Sequence, residues 1–304
     1  MHDNDTKHTD MPAVFPVAGM GTRFLPATKC TPKEMLPIVD KPLIQYAAEE
    51  AVQAGCRSLI FITNRTKHTI SDHFDSAYEL EDRLQRAGKH ALLDRVRNTL
   101  PAADVSRLYI PQDSPQGLGH AVAMAQAAVG ERFFAVLLAD DLILPQQGQG
   151  CLAQMLAIHQ RTGASVIAVQ QVPRQHIHRY GVVAVDDFTD DVGRVTAIVE
   201  KPEADEAPSD LGVVGRYILA PAIFDLIEQV KPDARGEIQL TDAIAMLLQQ
   251  QPVYACRFAG TRHDCGHHEG FVHATLDVAM RDANLRQSLL PLMQTMLEES
   301  NTDK

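Results

Sequence analysis

Val14-Phe15-Pro16-Val17-Ala18-Gly19-Met20-Gly21-Thr22-Arg23 is the stretch on which the fold turns. An apolar run of strand character empties into two glycines, an arrangement in which backbone must approach another group closely. The dinucleotide fingerprint G-x-G-x-x-G and the phosphate loop G-x-x-x-x-G-K-S/T both require glycine at position 24, and that residue is Phe. The loop is therefore anion-compatible but of another kind. Arg23, Lys29, Lys33 and Lys41 follow within nineteen residues whose only acids are Glu34 and Asp40, a local net charge of +2.

Outward from this loop, strands are expected near 13–18, 58–63, 106–110, 133–139, 164–172, 180–185, 194–199, 213–219 and 253–258. Helices are expected over 42–54, 68–86, 119–128, 149–162, 221–229, 239–250 and 269–284. The first helix is marked by Pro42 in its first turn, Gly55 past its end, and Leu43, Ala47, Glu50 and Ala51 at helical spacing. Alternation up to about residue 140 implies parallel strands with helices on both faces; denser strands after 164 imply a mixed-sheet elaboration. The expected fold is α/β and Rossmann-like, a central, mostly parallel mixed sheet flanked by helices. Residues 1–10 read as a polar leader, 65–105 as a solvated helical excursion, and 286–304 as a helical tail.

Composition narrows the function. The 304 residues include 28 Lys and Arg against 39 Asp and Glu, a net charge of −11, whereas a general nucleic-acid binder carries a basic surface. With 45% hydrophobic and 22% charged residues the chain is globular. No apolar run approaches the roughly 20 residues that span a bilayer. Five cysteines without C-x-x-C spacing indicate neither a disulfide framework nor a zinc ribbon. Together with the absence of a signal-peptide pattern in the leader, this gives a cytoplasmic expectation without membrane or nucleic-acid partners.

The longer run Gly19-x-Gly21-Thr22-Arg23-Phe24-Leu25-Pro26-Ala27-Thr28-Lys29-x-x-Pro32-Lys33-Glu34-Met35-Leu36-Pro37-Ile38-Val39-Asp40-Lys41-Pro42-Leu43-Ile44-Gln45-Tyr46 closely resembles the signature of sugar-1-phosphate nucleotidylyltransferases, in particular their UTP/glucose 1-phosphate branch. The resemblance implies a nucleotidyltransferase body over 11–285, with a nucleotide-binding half to about 145 and a sugar-binding half over 146–285. It implies that Ala18, Gly19, Gly21 and Thr22 hold the nucleotide. Arg23 and Lys33, spaced across a proline-stiffened loop, could converge on a triphosphate, the guanidinium bidentately and the ammonium as a point charge.

Further stretches follow the family pattern in order. Gln112 and Gly117 would meet the base, since an amide carries both donor and acceptor for uracil's edge. Asp140, at the end of the strand near 133–139, would ligate Mg²⁺. Asp141 is the alternative, pointing the other way if the backbone stays extended. Gly181 and Glu200 would hold sugar hydroxyls, Lys201 the sugar phosphate, Val214 and Gly215 would lie near the sugar, and Asp264 would be a second metal-facing carboxylate. Thr241-Asp242 also has a bland explanation as cap and first-turn charge. The histidines from 263 to 273 miss H-E-x-x-H spacing by one residue, so no structural zinc is expected.

The activity implied is transfer from UTP to α-D-glucose 1-phosphate, giving UDP-glucose and pyrophosphate by Mg²⁺-dependent in-line displacement. A phosphate monoester is mostly ionised at neutral pH, so no general base is expected. A thymidylyltransferase, another sugar 1-phosphate or an inactive regulatory paralogue would share these features. The family implies a homodimer or homotetramer.

Overall fold

The computed structural model describes residues 11–100, 104–146 and 148–302; the polar leader lies outside them. β1 (Ala13–Pro16) is followed by β2 (Pro37–Ile38), β3 (Lys41–Pro42) and α1 (Leu43–Gln53). Next come β4 (Ser58–Thr63), α2 (His68–Phe74), α3 (Tyr78–Arg86), α4 (His90–Arg97), β5 (Ser106–Pro111), α5 (Gly117–Ala123) and α6 (Gln126–Val129). β6 (Phe134–Leu137) and β7 (Asp141–Leu144) lead to α7 (Cys151–Thr162). The remainder holds β8 (Ser165–Gln171), β9 (Gly181–Thr189), β10 (Val192–Glu200), β11 (Leu211–Leu219), α8 (Ile223–Ile227), α9 (Leu240–Leu247), β12 (Val253–Arg257), β13 (Thr261–Asp264), α10 (His268–Arg281) and α11 (Ala283–Thr302).

Among the described residues, nine strands form one sheet in the order β5-β4-β1-β6-β11-β8-β12-β10-β9. Its first four strands are parallel. β11 then runs antiparallel to both β6 and β8, and only β12 with β8 is parallel beyond it. The sheet is mixed as expected, and its parallel character is confined mainly to the half joined by helical crossovers. Val14 and Phe15, adjacent on β1, point to opposite faces and are both fully buried. Phe15 packs with Phe61 and helices α1 and α7 on one face; Val14 packs with Ile60, Phe134 and helices α5, α8 and α9 on the other. A strand covered on both sides reads as a continuous apolar run, which is why β1 was legible.

Two expected helices are broken. The 68–86 stretch divides where Asp75 turns extended after Phe74, and the 119–128 stretch divides at Met124 and Ala125. The short ladders β2–β3 and β7–β13 lie outside the main sheet and were not anticipated. β7–β13 matters most, because its register sets Asp264 opposite Asp141. No helix among the described residues is long and apolar enough to cross a membrane.

Candidate active site

The loop after β1 is braced from behind. Val17 and Ala18 are buried, and their carbonyls accept hydrogen bonds from Lys67 Nζ at 2.5 Å and Asn64 Nδ2 at 2.8 Å. The same Lys67 ammonium bonds the buried Glu34 carboxylate at 2.7 Å. Burial pushes the Glu34 carboxyl up and the Lys67 ammonium down, so each needs the other to stay charged. Gly19 has open space where a Cβ would be. Gly21 adopts φ +64°, which favours glycine, and a Cβ there would press on Lys33 Cβ at 3.2 Å. Thr22 and Arg23 open the following 3₁₀ turn and are exposed.

Asp140 and Asp264 converge on this loop. Cys265 N–H donates to the Asp140 carbonyl at 2.8 Å, which locks the two segments together beside the β7–β13 ladder. Around the point where a Gly266 Cβ would lie, Asp264 Oδ1 stands at 3.0 Å, Asp140 Oδ2 at 3.1 Å and Arg23 Nη1 at 3.6 Å. Lys33 Nζ bonds Asp140 Oδ2 at 2.5 Å. Burial, the largest influence, acts to raise the Asp140 carboxyl, but the Lys33 ammonium, a backbone hydrogen bond and Arg262 together hold the group below its ordinary value. Asp141 faces away: its carboxylate pairs with Arg262 and accepts the Gly215 N–H at 2.7 Å.

Among the other expected positions, Gly181, Glu200 and Lys201 lie together where β9 begins and β10 ends. Gly181 and Glu200 are cross-strand partners in β9 and β10. A Cβ at Gly181 would meet both the Glu200 carboxylate and the Thr241 hydroxyl at 3.3 Å. Thr241 donates to Glu200 Oε2 at 2.7 Å and is not a helix cap; Gln239 precedes α9 instead. Lys201 lies 2.8 Å from Glu200 Oε1 and has φ +44°, a strained conformation for a non-glycine residue. Val214 is buried in the core, so only its backbone can reach the cleft. Gly215 is explained by a close approach, since a Cβ there would fall 2.5 Å from Asp141 Oδ2.

Gln112 and Ala18 line one open cavity of about 530 Å³ together with Met20, Asn64, Arg65 and Pro115. Gly117, at φ +93°, is demanded by the backbone of Ile238, 2.8 Å from where its Cβ would sit. Thus the glycine serves loop packing as well as any approach to a base.

Several residues that frame the site were not singled out. Arg262 reaches from Asp141 to the Tyr180 hydroxyl at 3.3 Å, and Arg179 meets Asp264 at 3.3 Å, tying the segment before β9 to the β7–β13 ladder. Arg216 is wholly buried; it donates to the Leu138 and Asp141 carbonyls at 2.8 and 2.9 Å and to Glu50 at 2.8 Å. It therefore grips the turn that carries Asp140 from both ends. A part-buried glutamate on the core face of α1 was the available signal, but its partner is 166 residues away. The histidines disperse: His263 bonds Asp277 at 2.8 Å and His268 packs on Phe24. Among the described residues no three His, Cys, Asp or Glu side chains are grouped to hold a metal ion.

The arrangement brings two carboxylates, Asp140 and Asp264, together with the cations Arg23 and Lys33, which suits polyphosphate chemistry with an ion held by few protein ligands. The nucleotidyl transferase family model matches residues 13–281. A UTP–glucose-1-phosphate uridylyltransferase of Bacillus subtilis is 47% identical over 289 residues, covering 94% of this chain and 97% of that protein. A UTP-bound UGPase structure from Acinetobacter baumannii is 40% identical at TM-score 0.87, covering 93% of this chain and 98% of that one. A UDP-glucose pyrophosphorylase structure complexed with UDP-glucose is 40% identical at TM-score 0.81, covering 90% and 99%. The chain belongs to the nucleotidyl transferase family and, within it, to the UTP–glucose-1-phosphate uridylyltransferases.

Proposed function

We propose that this chain transfers the uridylyl group of UTP to α-D-glucose 1-phosphate, releasing pyrophosphate, through the groups gathered between the first loop, Asp140 and Lys201. The observation that carries this reading is the convergence of Asp140, Asp264 and Arg23 about Gly266, with Lys33 on the same carboxylate. A phosphate oxygen of glucose 1-phosphate attacks the α-phosphorus of UTP, and the bond to the bridging oxygen of the departing pyrophosphate breaks. The nucleophile is already ionised, so the protein need supply no general base. Its task is to bring two polyanions together and to offset charge on the leaving group.

Asp140 and Asp264 would hold Mg²⁺. This pair fits it, because Mg²⁺ is bound by one or two carboxylates plus substrate phosphates rather than by an all-protein cage. Bound there, the ion neutralises phosphate oxygens as a Lewis acid. Arg23 and Lys33 hold the phosphates of UTP; Lys201 holds the sugar phosphate, while Glu200 and the Gly181 backbone hold sugar hydroxyls. Gln112 reads the base in the cavity beside Ala18. A cytoplasmic homo-oligomer is the setting this reading implies. Pyrophosphate release measured with UTP or dTTP, against glucose and galactose 1-phosphates, tests the function. Highest kcat/KM for UTP with glucose 1-phosphate is expected; a preference for dTTP would assign the chain to thymidylyl transfer instead.

A further inference from the structure

Gln112 is 3% exposed, and its Nε2 lies 2.6 Å from Nδ1 of His120 on α5. Its backbone is fixed too, because Gln112 N–H donates to the Thr63 carbonyl at 2.7 Å. His120 is held as firmly. The first turn of α5 is tied to the 238 segment by Gly119 N–H to the Ile238 carbonyl at 2.9 Å and by Ile238 N–H to the Gln116 carbonyl at 2.7 Å. Gly117 and Gly119 permit that approach, since a Cβ at either would stand 2.8 Å from the Ile238 oxygen. The imidazole is thus carried on a docked helix and meets one end of a buried amide.

A carboxamide has a donor end and an acceptor end, and an unrestrained glutamine can present either. Uracil carries a hydrogen on N3 between two carbonyls; cytosine has an acceptor at N3 and an amino group at C4. The orientation of the amide therefore decides which base it favours. With Nδ1 as the acceptor and the ring proton on Nε2, His120 takes one Nε2 hydrogen of Gln112. That pins Oε1 at the opposite end, where it accepts the N3–H that uracil has and cytosine lacks.

We infer that His120 is a positioning residue for base selection, fixing the Gln112 amide so that the cavity lined by Ala18, Asn64 and Gln112 accepts uridine and rejects cytidine nucleotides. The inference rests on Gln112 reading the base. It does not extend to uracil against thymine, whose hydrogen-bonding edges are identical.

The test measures pyrophosphate release by the full chain and by His120→Leu, His120→Asn and Gln112→Ala, with UTP and CTP each varied at saturating glucose 1-phosphate, and the KM for glucose 1-phosphate taken separately. His120→Leu should lower the UTP-to-CTP ratio of kcat/KM by about tenfold or more, chiefly through a higher KM for UTP, because an amide free to turn can pair with either base, whereas a fixed one is left unpaired by the wrong base. Its KM for glucose 1-phosphate should not change. His120→Asn places an acceptor where Nδ1 stood and should restore the ratio. An unchanged ratio in His120→Leu, equal losses toward both nucleotides and the sugar phosphate, or no rescue by Asn would each overturn the inference. Gln112→Ala separates the two claims. If it retains the UTP preference, Gln112 does not read the base; if it loses that preference while His120→Leu keeps it, only the role of His120 fails.

Discussion

Asp140 and Asp141 are neighbours in sequence that face opposite ways: Asp140 meets Lys33 in the cleft at 2.5 Å, while Asp141 turns inward to Arg262 and to the Gly215 N–H. One carboxylate faces a cation of the first loop and the other braces the fold. Asp140→Asn should therefore abolish measurable turnover and leave the melting temperature nearly unchanged. Asp141→Asn should instead cost stability, because it removes the nearer carboxylate of the nearly buried Arg262 and leaves only Asp264 at 4.0 Å, a change of up to about 3–5 kcal/mol. Initial rates and thermal melts of both variants check this pair, and a stable, fully active Asp140→Asn would move the metal role elsewhere.

The turn that presents Asp140 hangs on Arg216. Its guanidinium bonds the Leu138 and Asp141 carbonyls and the Glu50 carboxylate, which also accepts the Leu152 N–H at 2.9 Å near the start of α7. Breaking a buried pair from one side strands the other charge, so Glu50→Leu or Arg216→Met should each destabilise by about 3–5 kcal/mol. The double replacement should recover a large part of that loss in denaturant melts, since an apolar pair leaves no uncompensated charge. It should not recover the rate, because the Leu138 and Asp141 carbonyls would still lack their donor.

Gly266→Ala probes the convergence itself. An added methyl would lie 3.0 and 3.1 Å from the Asp264 and Asp140 carboxylates. The expected result is a folded enzyme whose kcat/KM falls by at least about tenfold, roughly 1.4 kcal/mol of transition-state stabilisation. Unimpaired turnover would show that the reacting phosphates do not approach this corner.

How far the sequence reaches depends on the range of the partner. The first loop, Gly181 with Glu200, and Asp140 with Asp264 stood in short motifs; the register of β9 on β10 pairs Gly181 with Glu200, and the Cys265 N–H to the Asp140 carbonyl brings the segments of Asp140 and Asp264 together. Glu50 stood at a core position of an expected helix, but nothing local indicated that Arg216 would neutralise it. Arg262 is two residues before Asp264, so strand alternation would have put both on one face; the four-residue strand was too short to be read. Val214 was expected near the sugar, yet its side chain belongs to the core. A family motif marks residues without saying which of them contributes side chain and which only backbone.

Asp233 supplies a pH test away from the cleft. Its carboxylate accepts the Glu237 and Arg235 N–H groups and the Gln239 amide, and these bonds draw its pKa from 3.8 down to about 2. The folded value lies below the unfolded one, so the stabilisation is present above 3.8 and is lost as pH falls toward about 2. Melting temperatures of the wild type and Asp233→Asn should differ at neutral pH and converge at the acid end. A gap that persists at the acid end would mean that ionisation of Asp233 is not its source.

The central claim is that one cleft holds nucleotide phosphates on the Arg23 side and the sugar phosphate on the Lys201 side. The most direct measurement is kcat/KM for UTP and for glucose 1-phosphate in Arg23→Ala and Lys201→Ala, with Mg²⁺ saturating. Charge-assisted contacts to phosphate contribute about 1.5–3 kcal/mol, so losses of roughly ten- to more than a hundredfold are expected. Arg23→Ala should show its loss when UTP is varied, and Lys201→Ala mainly when glucose 1-phosphate is varied. Equal, small losses in all four values, or a Lys201→Ala variant impaired for UTP alone, would contradict the assignment.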